Sequence, residues 1–103
     1  MGYYSTFEVI DTDIPDILNV LNDLGDEKDW GHPGWEDYGN GIQGYDATKW
    51  YYWLTDLQDL ATLYPDNYLV IEREGEDSLD VERAVIKNGT VTSVTPDVVW
   101  PKY

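Results

Sequence analysis

At 103 residues the chain has the length of one domain, and its 42% hydrophobic and 15% aromatic content separates it from disordered acidic sequences. Its 21 Asp and Glu residues against 6 Lys and Arg give a net charge of −15, which disfavours nucleic acid and anionic membrane as partners and favours a basic protein surface. With no Cys, no apolar run of roughly 20 residues that could span a bilayer, and no basic-then-apolar leader, a soluble cytoplasmic protein held by its core alone is expected.

Residues 3–11, YYSTFEVID, are rich in aromatic and β-branched types and alternate over Thr6, Phe7, Glu8 and Val9, which predicts a strand. An amphipathic helix should follow. Asp13 is its candidate N-cap, Pro15 sits in the first turn and Gly25 is a natural stop, while Ile14, Ile17, Leu18, Leu21 and Leu24 share one face. Residues 25–45 are dense in Gly and aromatic residues and have no clear period, so they predict a long loop.

Asp46 is expected to start a second helix. Ala47, Trp50, Leu54, Leu57 and Ala61 form its inner stripe, with Trp53, Leu60 and Tyr64 beside it, and Pro65 disfavours continuation. At about 100° per residue, the four consecutive aromatics of 50–53 cover almost the whole circumference, which leaves Tyr51 or Tyr52 at the margin.

Three antiparallel strands are predicted over 68–74, 79–87 and 90–95. Asn88-Gly89 is the sequence of a type I′ hairpin turn, and it sets Ile86 opposite Val91 and Ala84 opposite Ser93. Pro96 ends the sheet and a tail follows. The expected fold is a single α+β domain, two helices packed on one face of an antiparallel sheet, in the order β-α-(long loop)-α-β-β-β. Phe7, Leu21, Trp50, Leu54, Leu57, Leu69, Ile71, Ile86 and Val91 should be largely buried.

Catalytic chemistry is thinly represented. His32 is the one histidine, and nothing around Ser5, Ser78 or Ser93 resembles a nucleophile elbow. Zinc would lack soft and imidazole ligands, DEKDWGHPGWED does not match a calcium-loop spacing, and no phosphate-binding glycine motif occurs. No cofactor and no metal are therefore expected. Glu36 and Asp37 beside Trp35 and Tyr38 suggest the paired acids of a glycosidase, but sequence cannot set their separation. MGYYST formally fits a myristoylation site and Asn88-Gly89-Thr90 a glycosylation sequon; neither has the supporting context.

Two kinds of binding residue stand out. Residues 8–29 hold eight acids against Lys28 alone, and residues 66–82 hold seven against Arg73. Asp13, Asp16, Asp23, Asp26 and Glu27 near the first helix, with Glu74, Glu76, Asp77 and Asp80 at the meander end, form a candidate acidic face. Its carboxylates recur on a scale comparable to duplex phosphates. The other set is aromatic: Trp30, Trp35, Tyr38 and Tyr45 either fold back to lid a small core or form a surface for a small ligand or carbohydrate.

The opening MGYYSTFEV, then KWYYW, YPDNYLVIEREGED and KNG, resembles a group of small acidic proteins of bacteriophages and bacteria that begin MGYYT-F and carry a central KWY segment. The resemblance implies a phage or mobile-element setting and no catalytic residues. It raises the expectation of a non-enzymatic protein that binds host machinery, including a defence protein with a basic, nucleic-acid-binding surface.

Overall fold

Alternation along the first strand decides which side of the sheet becomes interior. In the computed structural model, which describes residues 4–39, 41–76 and 80–95, Ser5 and Phe7 are buried while Thr6 is exposed. The elements run β1 (Ser5–Thr12), α1 (Ile17–Glu27), β2 (Trp35–Asp37), β3 (Ile42–Gly44), α2 (Trp53–Leu63), β4 (Leu69–Gly75), β5 (Val81–Lys87) and β6 (Thr90–Val94). The six strands form one antiparallel sheet in the order β2-β3-β1-β4-β5-β6.

The α+β class is as expected, but there are six strands instead of four. The two extra ones, β2 and β3, lie inside the stretch expected to be loop. They form a hairpin that extends the sheet beyond β1, with Glu8 opposite Gln43. At the other end, Ile86 pairs with Val91 and Ala84 with Ser93. Asn88 (φ 55°) and Gly89 (φ 76°) supply the two positive dihedrals of the type I′ turn.

Register carries the inner side across the sheet: Val9 lies opposite Ile71 and Ile71 opposite Ala84, while Leu69 lies opposite Ile86. These residues join one core cluster with Ile17, Leu21 and Leu24 of α1 and Trp53, Leu57, Leu60 and Ala61 of α2. Leu54 and Val91, expected in the core, are only partly buried against it.

Both helices start later than expected. Asp16 caps α1 in the left-handed conformation (φ 57°, ψ 40°), with no side-chain capping bond. Asp13 is not the cap; its carboxylate accepts the Tyr68 backbone N–H at 2.9 Å and the Asn67 amide at 3.2 Å. Helix α2 starts at Trp53 because the preceding residues are used otherwise: Thr48 and Ser5 exchange two backbone hydrogen bonds of 2.8 and 2.9 Å. The inner stripe is accordingly Trp53, Leu57, Leu60 and Ala61; Ala47 is exposed, and Trp50 is buried ahead of the helix.

Gly25 does not stop α1, which continues to Glu27. Its role is clearance: a Cβ there would meet the His32 ring at 2.5 Å. Gly→Ala within a helix ordinarily stabilises by about 0.5–1 kcal/mol. Overpacking costs about 1–3 kcal/mol. Gly25→Ala should therefore destabilise the protein on balance, as measured by urea denaturation; a gain in stability would show that the His32 loop yields freely.

Candidate functional site

The aromatic segment divides between interior and surface. Trp30 and Trp35 are 7% and 3% exposed, and they surround Trp50 with Phe7. Trp30 stacks on Trp50 with centroids 5.4 Å apart, and Trp35 meets it edge-on at 6.3 Å. These two tryptophans are core, so they present no ligand platform. Alternation in the β2–β3 hairpin explains the split: Trp35 faces in, opposite Gly44, whereas Glu36 faces out, opposite Gln43. Gly44 must lack a side chain because Pro33 occupies the space its Cβ would take. Tyr38 and Tyr45 lie on the outward side and are 49% and 68% exposed.

His32 belongs to the same packing. Its ring meets Trp30 and Trp50 edge-on, Nδ1 accepts the Gly34 N–H at 3.4 Å, and Nε2 lies 3.2 Å from an Asp26 carboxylate oxygen. With Nδ1 accepting, the ring proton sits on Nε2 and donates to Asp26. Ser5 accepts from Arg73, and Ser93 donates to Glu82. Ser78 lies outside the described residues. Among those described, no three His, Asp or Glu side chains gather in a metal-binding arrangement.

The predicted acids fall into three groups. Asp13, Asp26, Glu76 and Asp80 are engaged within the fold: with Tyr68 and Asn67, with His32, with the Tyr4 N–H at 2.6 Å, and with Arg73. Asp16, Asp23 and Glu27 project from one side of α1 and border a groove of about 250 Å³ against the end of α2. Glu74 lies on the outer side of the sheet. Asp77 lies outside the described residues.

Around Glu74 the register assembles acids that spacing along the sequence does not group, Glu36 among them. Glu36, Gln43, Glu8, Glu72, Arg83 and Val94 occupy successive strands in one row across the whole sheet. The next row places Thr6 beside Glu74. A shallow depression of about 330 Å³ opens here, lined by Thr6, Glu8, Gln43, Glu72 and Glu74 among others. Arg83 neutralises Glu72 through a 2.9 Å contact. Glu36 accepts the Tyr38 hydroxyl at 3.3 Å. Partial desolvation and then the Glu36 carboxylate raise the Tyr38 pKa above the ordinary phenol value. Tyr38, Tyr45, Glu36, Glu8 and Glu74 thus share one side of the sheet, opposite the core.

Among the described residues no helix is long and apolar enough to cross a membrane. Comparison with protein-family models, with curated proteins and with solved structures finds no match.

Proposed function

We propose that this is a non-enzymatic acidic binding protein whose outer sheet face occupies a basic, nucleic-acid-binding surface of a host protein. A phage setting and a defence enzyme as target follow from the resemblance of MGYYSTFEV and KWYYW described above. One observation carries the reading: Glu8, Glu72 and Glu36 share a row on the outer face, with Glu74 in the next. Glu8 lies directly opposite Glu72, whose charge Arg83 balances from the next strand, so the negative charge of the row is concentrated toward Glu8 and Glu36. Strand spacing separates such carboxylates by about 5 or 10 Å. Phosphates of one duplex strand recur about every 3.4 Å along the axis, so carboxylates about 10 Å apart span about three phosphate steps. Exposed Tyr38 and Tyr45 beside them add the aromatic anchors typical of protein interfaces.

The test is capture from a nuclease-treated bacterial lysate on the immobilised protein, followed by elution with duplex DNA. Retained proteins should be released by DNA. They should also be released by about 0.5 M salt, where the screening length is only about 4 Å. Reversing Glu8, Glu36 and Glu74 to Lys should reduce retention at least about tenfold. Retention that resists DNA, salt and these reversals but is lost in Tyr38→Ala/Tyr45→Ala overturns phosphate mimicry. That result would favour the alternative, a small-ligand or carbohydrate-binding surface made by the two tyrosines.

A further inference from the structure

On the helical side of the molecule, α1 and the end of α2 enclose a groove of about 250 Å³. Its lining joins the acids Asp16, Asp23 and Glu27 to the apolar surface of Val20, Leu24, Leu63 and Tyr64. Leu63 is 60% exposed, unusually open for a leucine at the end of an otherwise amphipathic helix. The acids stand at positions i, i+7 and i+11 of the α1 side, about 10 and 6 Å apart along its axis. The groove therefore combines apolar and anionic lining over about three helical turns.

We infer that this groove docks an amphipathic basic helix of the partner protein, with aliphatic side chains on the apolar lining and Lys or Arg side chains against the acids. The inference rests on the reading of the chain as a protein that binds a basic partner, and it names the form in which that partner engages the helical side. Three features select this occupant. The volume is below the roughly 300–1,000 Å³ of small-molecule pockets, yet it suits a few anchoring side chains. Apolar anchors at i, i+3 or i+4 and i+7 match an apolar lining laid along a helix. A net charge of −15 repels a second copy of this chain while it attracts a basic segment.

The experiment uses the full chain and a fluorescein-labelled peptide of Leu and Lys whose leucines fall on one helical face, followed by fluorescence anisotropy. A peptide of the same composition, scrambled so that no apolar face forms, is the control. The facially ordered peptide should bind at least about tenfold more tightly than the scrambled one. Leu63→Asp, at an exposed position that threatens no packing, should weaken binding about tenfold or more. Asp16→Asn/Asp23→Asn/Glu27→Gln should weaken it about tenfold and flatten its salt dependence, as loss of three exposed charge contacts predicts. Glu8→Gln/Glu36→Gln/Glu74→Gln should leave it within about twofold, since those side chains lie across the sheet.

Equal affinity for the scrambled peptide, or indifference to Leu63→Asp and to the α1 variant, overturns the groove as a docking site. So does loss of peptide binding in the sheet-face variant alone. None of these outcomes touches the DNA-competed capture assigned to the outer sheet face. Conversely, capture that DNA cannot displace rejects phosphate mimicry whatever the peptide does.

Discussion

Replacing Trp50 by Ala is expected to lower stability by about 3–5 kcal/mol, the usual cost of truncating a buried aromatic residue. Trp50 is 3% exposed, with Phe7, Trp30, Trp35 and His32 rings within 5.2 to 6.4 Å of its own. Its indole N–H donates to Asp56 at 2.7 Å, which ties the irregular 46–52 segment to the first turn of α2. Truncation removes the contacts of every surrounding ring and leaves the Asp56 oxygen without its donor. For a domain with about 5–15 kcal/mol of total stability, such a loss unfolds a large share of molecules under mild denaturant. Trp50→Phe keeps much of the ring and should cost clearly less. Chemical denaturation followed by far-ultraviolet circular dichroism compares the variants without relying on the deleted fluorophore. A loss below about 1.5 kcal/mol for Trp50→Ala would show that the cluster repacks and that Trp50 is not its centre.

The second large effect is expected at Arg73. Its guanidinium bonds both carboxylate oxygens of Asp80 at 2.7 and 3.2 Å, Glu82 at 3.3 Å and the Ser5 hydroxyl at 3.1 Å. The Asp80 hydrogen bond is the largest influence holding the Arg73 pKa above its ordinary value, and it outweighs the opposing effect of burial. Arg73→Met would leave Asp80 and Glu82 side by side without their shared cation. Breaking a fully buried pair costs about 3–5 kcal/mol. Side-chain exposure here is 14% for Arg73 but 36% for Asp80, so water offsets part of that. A loss of about 2 kcal/mol is expected, larger at low salt, by denaturation of the single variant. Arg73→Met/Asp80→Asn/Glu82→Gln should recover most of it, because the two negative charges that faced the guanidinium are then gone. A single-variant loss under about 0.5 kcal/mol would place the cluster with exposed ion pairs of negligible weight.

How far the fold could be read from the sequence depended on the range of the interaction involved. Asn88-Gly89 determines its hairpin within two residues, so the pairing of Ile86 with Val91 was legible. The α1 stripe was legible because Ile17, Leu21 and Leu24 repeat at helical period within three turns. The β2–β3 hairpin was not, because each strand has only three residues, amid Gly34, Gly39, Gly41 and Gly44. Asp46 and Ala47 suit a helix start locally; the backbone bonds between Thr48 and Ser5 override that preference and delay α2 to Trp53. The same distinction runs through the candidate site. Asp16, Asp23 and Glu27 could be grouped from spacing on one helix. Glu8, Glu36 and Glu72 become neighbours only through strand order. The alternation of Phe7 with Glu8 and of Ile71 with Glu72 gave their facing, but not which strand stands beside which.

The placement of β1 in the middle of the sheet also governs the order of assembly. Its pairing with β4 joins residues far apart in the chain, from Thr12 with Leu69 to Ser5 with Gly75. Contacts of such long range form only after loop-closure entropy has been overcome, which slows folding relative to local hairpins. The β4–β6 meander, closed by its tight turn, is the part able to nucleate first. During synthesis β1 precedes both of its neighbours, and the edge that β4 will cover stays open until the chain through β4 has followed. In that interval Phe7, Val9 and their unpaired backbone groups form an exposed strand edge, a template for pairing with other nascent chains. Glu8 and Asp11, spaced along that strand, give it a charge that opposes such association before the sheet closes.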